Sequence, residues 1–441
     1  MLQDIISQPA TLIAFIALAG LLLQKRPVVD VIKGTLKSFL GFVLIGIGGG
    51  VVVGSLSYLG TMFELAFGVS GVLPNNEAII ALAVLEYGET AVWILFFGMI
   101  ANLLFARFTK LKYVFLSTHL VFYMACLIGI VFTGLGMGGA QTIIVGAIAL
   151  GLTMVVFPAL AQPVMSQVTG SEEVALGHYG IIGHASAGFI GKLVRGKNPK
   201  STEDISIPKS LSFFQDNSVS VAITMCILFL ILTLAAGPGF VQNDLSGGTH
   251  FIVFAVMQGI LFAAGVFIIV QGVQMMISEI LPAFRGISEK VIPGAKPAFD
   301  CPIVFPHAPN AVLIGFLSSF AAGILGMLVL AAFGNVVIMP GVVAHFFSGG
   351  TGAVFGNATG GLRGAIIGAF FVGLLMTFAP LLLLPFLGDL GYASATFSDL
   401  DFIFVGAMLG NAGRAGADFV SALVAAAAGM LLIFWRNKNV I

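Results

Sequence analysis

Long apolar runs follow one another along almost the whole chain, separated by short polar stretches. An α-helix needs about 20 predominantly apolar residues to cross the hydrocarbon core of a bilayer. The runs of suitable length are 9–23, 39–57, 90–106, 117–135, 141–160, 216–237, 251–272, 311–333, 363–385 and 419–435, with a weaker one at 402–410. This pattern predicts an all-α polytopic membrane protein with ten or eleven transmembrane helices.

Basic residues follow the first, third, fifth and seventh apolar runs and end the chain. They are Lys25, Arg26, Lys33, Lys37, Arg107, Lys110, Lys112, Lys192, Arg195, Lys197, Lys200, Lys209, Arg285, Lys290, Arg436 and Lys438. Segments 58–89, 238–250 and 386–401, read as loops on the opposite side, carry acidic residues and no lysine or arginine. Because basic loops stay in the cytoplasm, we expect the N-terminus outside and the C-terminus inside. This topology requires an odd number of spans and therefore favours eleven.

Composition excludes several classes of protein. Of 441 residues, 59% are hydrophobic and only 9% charged, and the mean hydropathy is +1.09, unlike a soluble enzyme or a disordered chain. Nineteen basic residues balance nineteen acidic ones, so no net charge favours nucleic-acid binding. The longest polar stretch, 195–216, is too short for a catalytic domain, and no nucleotide-binding, protease or hydrolase motif occurs. We expect no catalytic residues and no cofactor in this chain.

The sequence contains a weak internal repeat. Residues 66–74 resemble residues 283–293, and each segment precedes a polar stretch that breaks a helix. Chance similarity in a sequence of low complexity is the alternative. A true repeat would divide a single transport unit into 1–214, which includes a cytoplasmic loop at 195–214, and 215–441. With about five spans in each half, the second half would be inverted, and inverted repeats place a substrate site near the membrane midplane.

Four segments are too polar or too rich in glycine and proline for ordinary spans. They are 72–80, 166–184, 294–310 and 341–361, of which the last is typical of a re-entrant hairpin. Non-helical backbone at membrane depth occurs only where it is buried in protein or lines a wet cavity. These segments are therefore candidate walls of a binding site.

Ionisable residues in these segments are the candidate binding groups, because a charge within the membrane is costly and usually functional. Asp300 either caps a helix or accepts hydrogen bonds from substrate hydroxyls, and the two roles are compatible. Glu77 belongs either to the site or to the outer surface. His119 and Tyr123 share a helical face, and His178 with Tyr179 lies in a glycine-bounded break; the alternative for all four is packing. No histidine spacing matches a metal motif, and we predict no metal.

Several longer stretches resemble enzyme IIC, the membrane component of the ascorbate-type phosphoenolpyruvate-dependent phosphotransferase system. They are VIKGTLKSFLGF (31–42), GVSG (68–71), STHLVF (117–122), FFQDNSVSVAITM (213–225), QGVQMMISEILPAFRGISEKVIPGAKPAFDC (271–301), PHAPNAVLIGF (306–316) and MPGVVAHFFSGGTGAVFGN (339–357). The most specific is the run that contains AFRGIS, PGAKPAFDC and APNAV. Together these stretches are spread over most of the chain.

The resemblance implies eleven spans with inverted repeats, a substrate-carrying core and a V-shaped scaffold that forms a homodimer. It further implies elevator-type uptake of L-ascorbate across the bacterial inner membrane and phosphorylation by the cytosolic enzyme IIA and IIB components. By motif position, the substrate-binding residues are Asn76, Glu77, His119, Leu120, Val121, Phe122, Tyr123, His178, Tyr179 and Asp300. The chain departs from the family pattern at Asn76, Glu77, Tyr123 and Tyr179, which changes several direct contacts to the substrate.

Two other functions are compatible with the sequence. One is a secondary transporter of a sugar or organic anion that couples uptake to protons through Asp300 and a histidine. The other is a passive channel. A phosphotransferase permease depends on cytosolic phosphoryl-carrier proteins, whereas these alternatives do not.

Overall fold

The computed structural model describes residues 9–23, 25–68, 70–205, 217–277, 292–333, 336–387 and 395–435. Within them, the helices of fourteen residues or more are α1 Pro9–Leu23, α2 Val28–Phe67, α3 Asn76–Phe108, α4 Thr118–Gly134, α5 Gly139–Thr169, α6 Ile181–Val194, α7 Asn217–Ala236, α8 Phe251–Ile277, α9 Pro309–Phe333, α10 Gly350–Phe378, α11 Leu400–Gly413 and α12 Ala417–Phe434. Six short strands are β1 Ser70–Pro74, β2 Tyr113–Phe115, β3 Ala175–Leu176, β4 Lys296–Phe299, β5 Val336–Ile338 and β6 Ala395–Thr396.

The helices confirm an all-α polytopic membrane protein. Seven helical segments of the described chain are long and apolar enough to cross a bilayer. An eighth candidate is α7 together with residues 238–245, which bend away from it by 106°. The helices α4, α6 and α11 are apolar but shorter. The count of eleven spans and the positions of the termini stay predictions.

The segment 58–89, expected to be an acidic loop, is instead the end of α2, β1 and the beginning of α3. Gly68 ends α2 in the left-handed conformation (φ 66°), and its N–H donates to the carbonyl of Glu64. Glycine adopts this conformation without the steric cost that a Cβ would add. Asn75 then begins α3, because its side chain accepts a hydrogen bond from the N–H of Ala78 at 2.8 Å. Glu77 consequently lies in the first turn of a buried helix.

The predicted hairpin at 341–361 is present as a reversal of the chain. Residues 342–349 lead into α10, whose helical conformation is interrupted at Gly361 (φ 65°, ψ −155°). Gly356 and Gly364 pack backbone against backbone on either side of this break, and Gly352 faces Val372 further along the two arms. The second arm had been expected to be part of the span 363–385. Backbone N–H of Leu362 donates to the carbonyl of Lys200 at 2.7 Å, so the polar loop after α6 covers the hairpin tip.

The six strands form two parallel sheets that exchange strands between the N-terminal and C-terminal parts of the chain. In the first sheet, β1 lies between β5 and β6. In the second, β4 lies between β2 and β3. Each sheet thus takes its central strand from one part of the chain and both outer strands from the other. The division into two related halves stays a prediction. The central strand of the second sheet, β4, begins at Lys296, after the predicted 283–293 segment. Of that segment, residues 283–291 lie outside the described residues.

Candidate functional site

A cavity of about 260 Å³ lies where the carboxyl ends of all six strands converge. One wall consists of the segments that directly follow these strands, and it is polar. The opposite wall consists of apolar residues of α7 and α8, including Val221, Leu228, Phe262 and Val273, with Thr224 and Gln274 among them. Hydrogen-bonding groups on one side and an apolar surface on the other are typical of a small-molecule site.

Asp300 stands at the centre of the polar wall. Its Oδ1 accepts a hydrogen bond from the N–H of Cys301 at 2.7 Å, and the Nε2 atom of His119 lies 3.4 Å from its Oδ2. The capping role and a role in the cavity therefore coexist. The side chain is 30% exposed, so lone pairs of the carboxylate remain available to a ligand.

His178 faces the same cavity from the end of β3. Its Nδ1 accepts a hydrogen bond from the N–H of Gly180 at 2.9 Å. A neutral imidazole that accepts at Nδ1 carries its proton on Nε2. The Nε2 atom lies 3.9 Å from Oδ1 of Asp300 and 4.0 Å from Oδ1 of Asp399. Both distances are too long for a hydrogen bond, so this N–H points between two carboxylates and is available to a ligand.

Asp399 follows β6 and joins the two parts of the chain. Its Oδ2 accepts a hydrogen bond from the amide nitrogen of Asn76 at 2.5 Å, and its Oδ1 accepts one from the hydroxyl of Ser348 at 2.7 Å. The carbonyl oxygen of Asn76 in turn accepts from the N–H of Ser398 at 2.9 Å. The Asn76 amide is thereby fixed in orientation and retains one N–H for a ligand.

Asp401 positions the turn that carries His178. Its carboxylate is fully buried and accepts hydrogen bonds from the N–H groups of Ile181 (2.9 Å) and Ile182 (2.8 Å), the first residues of α6. Its own N–H donates to the carbonyl of Tyr179 at 2.8 Å. Sequence analysis placed Asp399 and Asp401 in an acidic loop, whereas Asp401 lies in the first turn of α11 and Asp399 directly precedes that helix. Both carboxylates are buried at the site.

We expect Asp401→Ala to lower the thermal stability of the purified protein markedly. The substitution leaves the N–H groups of Ile181 and Ile182 without their carboxylate acceptor. An N–H that is left buried without an acceptor costs about 1–3 kcal/mol. Ligand affinity should fall as well, because the turn that carries His178 loses its support. Thermal unfolding in detergent measures the effect. Asp418→Ala is the matched control, since Asp418 is exposed in the first turn of α12. Equal unfolding temperatures for the two variants would contradict this role.

The structure brings most of the predicted site residues together. Those that line the cavity are Asn76, Glu77, His119, Leu120, Tyr123, His178 and Asp300. Val121 and Phe122 are fully buried away from it. Tyr179 is also fully buried; its ring stacks on Phe115 and its hydroxyl lies 2.8 Å from that of Thr153.

Asn75 and residues 341–344 of the cavity wall lie in segments predicted to form the site, but they were not among the predicted site residues. Sequence reasoning missed Pro340, and it missed Ser398 and Asp399. The signal that identifies them is a short apolar run followed by Ser or Asn and an acid, as in FSDLD at 397–401. This pattern marks a buried strand that runs into a capped helix.

The prediction that the chain binds no metal stays a prediction. Candidate ligand atoms of His178, His184 and Cys301 lie within 4.8 Å of one another in the interior. They come from distant parts of the sequence, so no local spacing could reveal them. His178 already accepts from Gly180 and directs its other nitrogen toward the carboxylates. We assign no metal to this cluster.

A sequence model of the family described as the PTS system sugar-specific permease component (EIIC-GAT) matches residues 4–401. The chain is also similar to a protein of Mycoplasma pneumoniae (strain ATCC 29342 / M129 / Subtype 1) named "Ascorbate-specific PTS system EIIC component". The two are 26% identical over 465 aligned positions, which cover 93% of this chain and 70% of the relative. The family match spans both parts of the chain and most of the cavity wall. The chain therefore belongs to the family of sugar-specific permease components of phosphotransferase systems.

Proposed function

We propose that this protein binds L-ascorbate or a related sugar and carries it across the bacterial inner membrane for phosphorylation by the cytosolic enzyme IIA and IIB components. The family supports a sugar permease, and the name of the Mycoplasma relative favours ascorbate. The protein itself supplies binding and translocation. The phosphoryl group comes from its partners.

The observation that carries this proposal is the chemistry of the polar wall. It presents carboxylates, imidazoles and an amide, all of which exchange hydrogen bonds with hydroxyl groups. Among the described residues that line the cavity there is no lysine or arginine. Such a wall suits a polyhydroxylated molecule, and the apolar residues of α7 and α8 suit the carbon face of its ring.

The two walls also suggest how the substrate moves. The polar wall is built on the strand ends and on the hairpin, which comprises residues 342–349 and α10. The apolar wall belongs to α7 and α8. We propose that the strand-based part is the mobile core of an elevator-type transporter. The helices α7 and α8 then belong to the scaffold against which it moves. In this arrangement the ligand travels with its hydrogen-bond partners and slides along an apolar surface.

A specific contact favours proton-coupled transport as a second candidate. His119 lies 3.4 Å from Asp300, and His178 lies near both Asp300 and Asp399. Chains of histidines and carboxylates within a membrane protein are typical of proton relays. The two mechanisms differ in the source of free energy, which a transport measurement separates.

We expect uptake of labelled L-ascorbate by membrane vesicles to require the phosphoryl-carrier proteins and phosphoenolpyruvate. It should persist in the presence of a protonophore, because phosphorylation traps the product inside. Vesicles loaded with all carriers except enzyme IIB serve as the control. Uptake that follows an imposed proton gradient without carriers would establish the proton-coupled mechanism in place of the proposed one.

We expect the purified protein to be a homodimer in mild detergent. The alanine-rich helix α12 is only 17% buried within one chain, and small residues allow helices of two chains to pack closely. Light scattering with correction for bound detergent measures the mass. A monomer at the concentration that supports binding would contradict the prediction.

A further inference from the structure

We propose that Asp399 binds the substrate directly, and that Asp399 and Asp300 together accept hydrogen bonds from a neutral pair of hydroxyl groups on the ligand. This inference rests on the proposed function, since it specifies how the sugar is held in the same cavity. It assigns the carboxylates to the uncharged, hydroxyl-bearing end of the ligand.

The position of the two carboxylates supports direct contact with the ligand. Both line the cavity, and both direct an Oδ1 atom toward Nε2 of His178, at 3.9 Å from Asp300 and 4.0 Å from Asp399. Two neighbouring ligand hydroxyls placed between them would complete three contacts that the protein leaves open. One hydroxyl oxygen would accept from the His178 N–H, and the two hydroxyl protons would go one to each carboxylate.

The burial of the Asp399 carboxylate also supports a role in ligand binding. Its side chain is only 5% exposed, and its hydrogen-bond donors within 3.5 Å are the neutral groups of Asn76, Ser348 and Ser398. Among the described residues that line the cavity, the bases are His119 and His178. A carboxylate buried without a closely paired cation is costly. A purely structural role of bridging neutral side chains would be served by asparagine or serine at lower cost, whereas a ligand hydroxyl gains a charge-assisted hydrogen bond.

The number of carboxylates in the cavity favours neutral ligand groups beside Asp399. Glu77, Asp300 and Asp399 share one small cavity, so an anionic atom next to Asp399 would be repelled by more than one carboxylate. Neutral hydroxyl groups meet no such repulsion and make use of the same acceptors. In L-ascorbate, the neutral hydroxyls of this kind are those on carbons 5 and 6, remote from the acidic ring hydroxyl. The ring then lies on the side of the cavity formed by α7 and α8.

Binding of deoxy ligands to purified full-length variants tests the proposal. The probes are L-ascorbate, its 5-deoxy and 6-deoxy analogues, and D-mannitol with its monodeoxy analogues, measured by calorimetry. We expect Asp399→Asn to weaken binding of the parent ligand about tenfold or more. We also expect this variant to bind one of the deoxy analogues with the same affinity as the parent ligand. The affinity of Asp300→Asn should no longer depend on a different hydroxyl, so a second deoxy analogue should bind this variant with the same affinity as the parent.

This design separates recognition from support of the fold, because a double-mutant cycle detects direct coupling between a side chain and a ligand group. If Asp399→Asn weakens every ligand by the same factor, or leaves all affinities unchanged, Asp399 does not bind the substrate. Absence of binding by the wild-type protein to all probes would instead overturn the proposed function.

A second variant covers the case in which Asp399→Asn does not fold. Ser348→Ala keeps the carboxylate and removes one neutral donor to it. We expect this variant to retain the full dependence on the hydroxyl that pairs with Asp399. If parent and deoxy ligands bound this variant equally although the carboxylate is intact, the hydroxyl would not pair with Asp399 and the proposal would be overturned.

Discussion

Asp300→Asn is expected to weaken binding of the sugar ligand by about 10- to 150-fold. The substitution preserves shape and the hydrogen bond from Cys301 but removes the charge that faces His119 and the cavity. A hydrogen bond to a charged group contributes about 1.5–3 kcal/mol, which corresponds to this range of affinity. Calorimetry or radioligand binding on purified protein measures the loss.

The matched control is Asp244→Asn, since Asp244 is exposed outside the cavity. Its affinity should equal that of the wild-type protein. If a well-folded Asp300→Asn variant also retained wild-type affinity, Asp300 would not anchor the substrate. If this variant bound the ascorbate anion more tightly and mannitol more weakly, the natural substrate would be a neutral polyol.

Gly191→Val is expected to leave little correctly folded protein. Gly191 of α6 lies against both arms of the hairpin formed by α10. A Cβ at this position would meet the carbonyl oxygen of Gly356 at 2.7 Å and would lie even closer to the hydroxyl of Thr359. Gly364 approaches the Cα of Gly191 from the second arm. Overpacking against side chains typically costs 1–3 kcal/mol. The backbone atoms at this site cannot move aside as side chains can, so the destabilisation should be larger.

Gly50→Val provides the control for this prediction. Gly50 is likewise inside a long helix, α2, but has no atom within 4 Å of an added Cβ. The valine substitution should therefore be tolerated at this position. The measurements are the yield of monodisperse protein in size-exclusion chromatography and the unfolding temperature. Equal behaviour of the two valine variants would show that the hairpin junction is not tightly packed.

Sequence reasoning identified part of the cavity lining, namely the residues whose signals are local. A charged or imidazole side chain in an apolar context is conspicuous, and this signal led to His119, His178 and Asp300, all of which line the cavity. The hairpin at 341–361 was likewise visible from its density of glycine. Such features are encoded within a few residues of one another.

The errors concern residues whose roles depend on distant partners. Tyr179 follows His178 in the sequence, but the turn between β3 and α6 directs it into the interior, toward Phe115 and Thr153. Asp399 appeared to be one of several acids in a loop, because its hydrogen bond to Asn76 joins positions 323 residues apart. Neither orientation can be read from local hydrophobicity.

The strand exchange has a consequence for the order in which the protein is made. β1 is synthesised early, but its partners β5 and β6 lie more than 260 residues later in the chain. At about 5–20 residues per second, the ribosome reaches them only after an interval on the order of tens of seconds. During that time the backbone N–H and C=O groups of Ser70–Pro74 lack their strand partners, and hydrocarbon cannot supply substitutes. The nascent chain must therefore hold this segment in water or within the insertion machinery until translation is almost complete.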